Sequence, residues 1–357
     1  MSRELLRLES VPVFQNKVFG SRQDALSCDR GDIVLVQDAA TGLVHNRAFN
    51  PALVDYDSDY QNEQAHSPAF QKHLDDVTTL VLHHLGREAL LDVGCGKGTF
   101  VEHLRAIGVD ARGIDPAYEG DSPYILARRF EPGLGLNAGG LILRHVLEHI
   151  RDPYTFLLSL KAANGGQGRI YVEVPCLDWI LTHRAWFDFF YEHVNYFRAE
   201  DFSRLFAGDP LVGHLFGGQY LFVVADLAML RDPAAAGIPS PPPADFPSDL
   251  MAGLERNVAV LRRDRPQAIW GAAAKGATYA LQMIRRGVEL QLAIDINPAK
   301  QGKFLAGSGL PVMSPADGLA RLGRNPDIHV MNSNYLAEIQ ASGGPGPRYL
   351  AADQCPP

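Results

Sequence analysis

The chain has 357 residues, 46% of them hydrophobic, enough for two or three domains with real cores. A net charge of −8 without any basic run argues against nucleic acid or an anionic membrane as the main partner, and no stretch nears the roughly 18 apolar residues of a membrane span. Four scattered cysteines (Cys28, Cys95, Cys176 and Cys355), with no C-x-x-C pair and no apolar leader in "MSRELLRLESVPVF", make a disulfide framework or thiolate metal site unexpected and a reducing cytoplasm the expected setting.

Residues 1–60 read as a small β region, with "GDIVLVQDAATGLVHN" as a hairpin turning at Thr41-Gly42. A helix is predicted from Pro68, N-capped by Ser67, with Phe70, Leu74, Val77, Val81 and Leu85 on its apolar face. Strands and helices then alternate: "ALLDV", a helix over 97–107, "DARGID", "GGLILR", a helix over 153–163, and "GRIYVEV". That alternation implies a parallel sheet, and "HLFGGQYLFVVADL" (214–227) adds a closing antiparallel hairpin. Proline is too dense in 231–247 for helix or strand, so this stretch is a linker. A helix capped by Ser248 and a second αβ series follow: "AIWGA", a helix from Lys275, "LQLAID" and "DIHVMN". The expected fold is α/β. It has a Rossmann-like core over 61–230, a Rossmann-like α/β domain over 248–357, and the small N-terminal β region.

"LLDVGCGKGTFVEHL" carries the strongest local signal. An apolar strand ends in Asp92, then Gly94, Gly96 and Gly98 form a turn that opens a helix, where glycine lets backbone approach a ligand. The spacing is G-x-G-x-G, not G-x-G-x-x-G, and Asp115 ends the next strand, where an acid meets ribose hydroxyls. A structural turn or a dinucleotide site would use the same residues. The combination resembles the class I S-adenosylmethionine (SAM) methyltransferases. The resemblance implies SAM as cofactor, Asp92 near its methionine end, Gly94 and Gly96 at the backbone bend, and Asp115 on the ribose. Cys95, Pro116, Arg144 and His145 complete the implied cofactor set, and "LRHVLEHIRDP" (143–153) is similar to the family's segment beside the cofactor. His145 and His149 are four apart, the spacing of one helical face. No third ligand is in evidence and Glu148 is not placed as in H-E-x-x-H, so no metal is expected.

"DFFYEHVNYF" (188–197) sets Glu192 and His193 among rings, which is costly unless they are hydrogen-bonded. With "WGAAAKGATYALQM", "DINPAKQGKFLAGSGLPV" and "PDIHVMNSNY", it resembles the sugar C-methyltransferase family over about 60–357. The resemblance implies methylation of a ketone-activated carbon in a nucleotide-linked deoxysugar. That family begins with a cysteine-rich zinc domain. Here Asp38 and Thr41 stand where paired cysteines belong, and Phe190 holds the family's tyrosine position ahead of Glu192 and His193.

Carbon becomes a nucleophile only when an α-proton is removed, which calls for a base, donors to the enolate oxygen, and in-line placement of the methyl group. His193 paired with Glu192, together with His149, Tyr191 and Tyr60, are the catalytic candidates. For Glu192 and His193 a satisfied structural pair is the alternative. Lys275, at the helix start in "GAAAKG", with Asn297 and Lys303 after the next strand, would bind a phosphate or other polar handle of a small-molecule acceptor. Two other functions use the same core: O- or N-methylation of a non-sugar natural-product intermediate, and non-catalytic SAM binding. The oligomeric state is left unassigned.

Overall fold

The computed structural model describes residues 3–54, 66–261 and 264–354. The N-terminal region contains β1 (Glu4–Pro12), β2 (Val18–Phe19), α1 (Arg22–Leu26), β3 (Arg30–Gln37) and β4 (Val44–Asn46). β1 pairs antiparallel with β3, and β3 with β4. The predicted hairpin turn is closed by Asp38, whose Oδ1 accepts the Thr41 N–H at 2.7 Å and the Thr41 hydroxyl at 2.8 Å. Gly42 follows at φ +83°, a conformation glycine adopts without strain. This region does not stand alone. Asn195–Tyr196 supplies the fourth strand of its sheet, and β2 pairs with Phe304–Leu305 far along the chain.

The core opens with α2 (Pro68–Leu85), where Ser67 Oγ accepts the Phe70 N–H and Pro68 occupies the first turn. Phe70, Leu74, Val77 and Val81 are buried along it, as their spacing requires. Then come β5 (Leu90–Val93), α3 (Thr99–Ala106), β6 (Ala111–Ile114), β7 (Ile125–Leu126), β8 (Gly140–Arg144), α4 (Pro153–Ala163) and β9 (Arg169–Pro175). The helix expected over 97–107 is shorter, because Gly98, at φ +81°, is its N-cap. After β9 follow α5 (Leu177–Thr182), the Asn195–Tyr196 strand β10, α6 (Ala199–Leu205), β11 (Leu211–Leu215) and β12 (Tyr220–Asp226). The sheet order is β11-β12-β9-β8-β5-β6-β7. β5 to β9 run parallel, and the β11–β12 hairpin closes one edge antiparallel. Strand order reverses between β5 and β8, so a ligand crevice lies at their carboxyl ends.

Residues 231–247 carry neither helix nor strand, yet they are fastened down. Gln37 Nε2 donates to the Pro242 carbonyl at 2.8 Å, and Arg204 donates to that of Pro233 at 2.8 Å. The helix expected from Ser248 starts later, as α7 (Ala252–Ala259), after tight turns at 247–251. The last part holds β13 (Gln267–Trp270), α8 (Ala274–Arg285), β14 (Leu290–Ile294), β15 (Phe304–Leu305), β16 (Val312–Met313), α9 (Pro315–Leu322), β17 (Asp327–Val330), α10 (Leu336–Gly343) and β18 (Arg348–Ala351). Its five-stranded sheet, β16-β14-β13-β17-β18, is parallel throughout. Here too the order reverses beside the first strand, between β13 and β17.

Candidate active site

The crevice at β5 and β8 holds the expected turn. Gly94, Gly96 and Gly98 have φ of +79°, +57° and +81°. A side chain on Gly94 would strike Val146, whereas nothing lies within 4 Å of the place a Gly96 Cβ would occupy. The turn is therefore tight on one side and open on the other. Asp115, at the end of β6, accepts the Gly96 N–H at 2.8 Å and the Ala117 N–H at 2.7 Å. Asp92 is 3% exposed, and its Oδ1 has no hydrogen-bond partner among the described residues. Burial raises its pKa to about 7, against the pull of Arg144 and with help from Asp115 and Glu173. An open glycine cradle, an acid at the second strand and an orphaned buried carboxylate fit SAM. Asp115 would hold its ribose, and Asp92 would face its cationic end.

Other expected cofactor residues differ in kind. Cys95 turns inward against Gly113, with burial raising its thiol pKa far above the usual range. Only its backbone belongs to the turn. Pro116 is exposed beside Asp115. Arg144 lies 3.4 Å from Glu173 and over the Phe100 ring, a strut behind the crevice.

Glu173, on β9, was not singled out by the sequence, yet it organises this wall. It is fully buried, with His145 Nε2 at 3.0 Å and His73 Nε2 at 3.1 Å, and it accepts the Tyr171 hydroxyl at 2.7 Å. Burial alone would raise its pKa, but Arg144, His145 and His73 hold it well below the usual carboxylate range. In sequence it was one acid in an apolar strand; its partners come from α2 and β8.

His145 and His149 do not share a helical face, contrary to their spacing. His145 is left-handed at φ +53°, and Leu147–His149 is one short 3-10 turn. The two rings consequently have different surroundings. His145 sits between Glu173 and Glu148 Oε1, the latter 3.4 Å from its Nδ1. Burial pulls its pKa down, but the two carboxylates outweigh that and raise it to about 9. His149 Nδ1 donates to the Glu192 carbonyl at 3.0 Å and stands edge-on to His193, ring centroids 4.9 Å apart. Burial lowers the pKa of both rings, that of His193 most, with further lowering from His149, His145 and Lys275. Burial therefore favours the neutral form of both rings.

The expected roles of the other acceptor-side residues divide. Glu192 is 2% exposed and accepts the Gln15 N–H at 3.0 Å. Phe190 packs edge-on against His193 at 4.8 Å. Tyr191, expected as a catalytic candidate, is engaged with the N-terminal region: its hydroxyl accepts the Asn50 N–H at 2.8 Å and its buried ring fills the space beside Gly31. Tyr60 lies outside the described residues.

Lys275 is not an open phosphate contact. Its Nζ lies 2.7 Å from buried Asp188. Asn297 is buried in the turn after β14, and its Nδ2 has no hydrogen-bond partner among the described residues. Lys303 is half-buried just before β15. No metal was expected, for want of clustered cysteines and of a third ligand beside the histidines; ligand atoms of Glu148, His149 and His193 lie within 4.8 Å of one another, a spacing that could hold a metal ion. Among the described residues, no helix is long and apolar enough to cross a membrane.

Two protein families match the chain: "Methyltransferase domain" over 60–208 and "C-methyltransferase C-terminal domain" over 253–342. C-methyltransferase NovU of Streptomyces niveus is 24% identical over 307 residues, covering 75% of this chain and 72% of that protein. Among solved structures, a SAM-dependent methyltransferase from Archaeoglobus fulgidus is 16% identical, covering 45% of this chain and 95% of that one, with a TM-score of 0.33. Magnesium protoporphyrin IX methyltransferase from Synechocystis PCC 6803, with bound S-adenosylhomocysteine, is 15% identical, covering 44% and 83%, also at 0.33. The crevice, the strand order and the two family matches agree: the chain is a class I SAM-dependent methyltransferase carrying the C-terminal domain of the C-methyltransferases.

Proposed function

We propose that this enzyme methylates a carbon α to a carbonyl in a small metabolite, with a nucleotide-linked keto-deoxysugar as the acceptor class. The observation that carries this reading is the His149–His193 pair: two neutral imidazoles, edge-on at 4.9 Å, one oriented by the Glu192 carbonyl. A neutral imidazole accepts a proton, which is the step a carbon acceptor needs and an oxygen or nitrogen acceptor can forgo. His193 is the base in this reading, and His149 orients it. SAM supplies the methyl group when bound. Asn297 Nδ2, buried with no hydrogen-bond partner among the described residues, supports a polar handle on the acceptor.

The test is a panel of nucleotide-linked keto-deoxysugars and simple ketones with SAM, read by mass spectrometry. With S-adenosylhomocysteine in deuterated buffer, an accepted ketone should exchange hydrogen at the carbon to be methylated. His193→Ala should slow exchange and turnover by about 100-fold or more without changing SAM affinity. A product methylated on oxygen or nitrogen, or a His193→Ala variant at the wild-type rate, would reject the reading.

A further inference from the structure

The segment bearing Glu192 and His193 is fastened by a residue from the other end of the chain. Gln15, between β1 and β2, is 0% exposed. Its backbone N–H donates to Glu192 Oε1 at 3.0 Å, and its side-chain oxygen accepts the Tyr191 N–H at 3.0 Å. Its side-chain nitrogen donates to Thr278 Oγ1 on α8 at 2.7 Å, and Thr278 is also fully buried. A buried amide is costly unless its polar atoms are bonded. Here the bonds join three parts of the chain at the two residues preceding His193. The Glu192 carbonyl then receives His149 Nδ1 at 3.0 Å. A continuous path of short contacts therefore runs from α8 through Gln15 to both imidazoles.

We propose that Gln15 is a positioning residue for methyl transfer. It ties the Tyr191 backbone and the Glu192 carboxylate to α8, so that the C-terminal domain sets the geometry of the His149–His193 pair as well as walling the acceptor. The inference rests on the assignment of those two histidines to acceptor activation. Catalytic groups need their orientation held by supporting hydrogen bonds, and small misplacements cost rate more than affinity.

The test uses the full chain with S-adenosylhomocysteine bound and 15N-labelled histidine. Gln15→Leu and Thr278→Val should each shift the ring-nitrogen signals of His149 and His193. Thr278→Ser, which keeps the hydroxyl, should leave them in place. Affinity for S-adenosylhomocysteine should not change. With an accepted ketone, kcat in Thr278→Val should fall about 10- to 100-fold at constant KM for SAM, and Thr278→Ser should restore it. If Gln15→Leu does not fold, Thr278→Val carries the test, because it keeps the shape of the side chain. Unmoved ring signals overturn the proposal whatever His193→Ala does. Shifted signals with full turnover, in an enzyme that His193→Ala also leaves active, overturn the assignment beneath it and the proposal with it.

Discussion

Three histidines meet at one wall, His145 with its pKa raised and His149 and His193 with theirs lowered, and the cause is local. His145 has two carboxylates against it; His149 has a carbonyl; His193 has rings and neighbouring cations. Environments that push pKa values apart divide acid from base roles. The raised pKa of His145 has a definite consequence for stability. The folded state binds the proton more tightly than the unfolded chain, so its contribution is fully present below pH 6.5 and is lost as pH rises through about 9. Urea unfolding should show stability falling across that window in the wild type, with a flatter fall in His145→Gln. Equal slopes would show that the pair of carboxylates does not hold a proton on His145. Asp92 has the same sign in another window: burial favours its neutral form, so its contribution declines as pH rises from about 4 through about 7. A cation bound beside it would favour the ionised form, so SAM affinity should rise with pH through about 7 and be flatter in Asp92→Asn. Calorimetry at several pH values measures this.

One backbone device occurs twice at the level of elements. After β5, Asp115 at the end of β6 receives the Gly96 and Ala117 N–H groups. After β13, Asp295 following β14 receives the Ala272 and Asn297 N–H groups, each at 2.8 Å. In both, the acid of the second strand closes the turn after the first. The expected difference is in the ligand. Asp115→Ala should weaken S-adenosylhomocysteine binding by about 1–3 kcal/mol, the cost of lost hydrogen bonds, whereas Asp295→Ala should leave it unchanged. Equal loss in both variants would place the cofactor elsewhere. The glycine turn makes a sterically sharper prediction. A methyl side chain in place of the Gly98 hydrogen would need a left-handed backbone and would collide with Ile125 Cδ1. Gly98→Ala should therefore lower stability by at least about 1–2 kcal/mol and weaken cofactor binding, whereas no such clash awaits a side chain at Gly96. Thermal unfolding with and without S-adenosylhomocysteine separates the two effects.

At the scale of the molecule, the three regions read along the chain are stitched together. β10 lies in the N-terminal sheet, β2 pairs with β15, and α8 lies against the acceptor segment. There Lys275 meets Asp188, and Tyr279 stacks on Trp186 with centroids 5.3 Å apart. Asp188, Trp186 and Tyr279 are buried there and Lys275 is half-buried, and breaking these contacts would expose a carboxylate and large rings together. Calorimetry should accordingly give one cooperative unfolding transition, whose calorimetric and van't Hoff enthalpies agree. Separate transitions for the N-terminal, core and C-terminal parts would show the seams to be weak.

What the sequence determined by itself is local. Apolar periodicity marked α2, the strands of the core and the α4 helix, and glycine with acid spacing marked the cofactor turn, because these depend on neighbours a few residues away. Hydropathy likewise offered no long apolar run, and among the described residues no helix is long and apolar enough to cross a membrane. Only the tertiary structure decided which polar groups meet. The sequence could not show that His145 and His149 part company, since that follows from a left-handed residue at 145. Nor could it show that Lys275 is neutralised by Asp188, that the Tyr191 hydroxyl is taken up by Asn50, or that Glu173 gathers His73, Arg144 and His145. Each of these pairs joins residues far apart in sequence that only strand pairing, helix-on-sheet packing or packing between regions brings together, and around Glu173 burial and these neighbours then set the charge states.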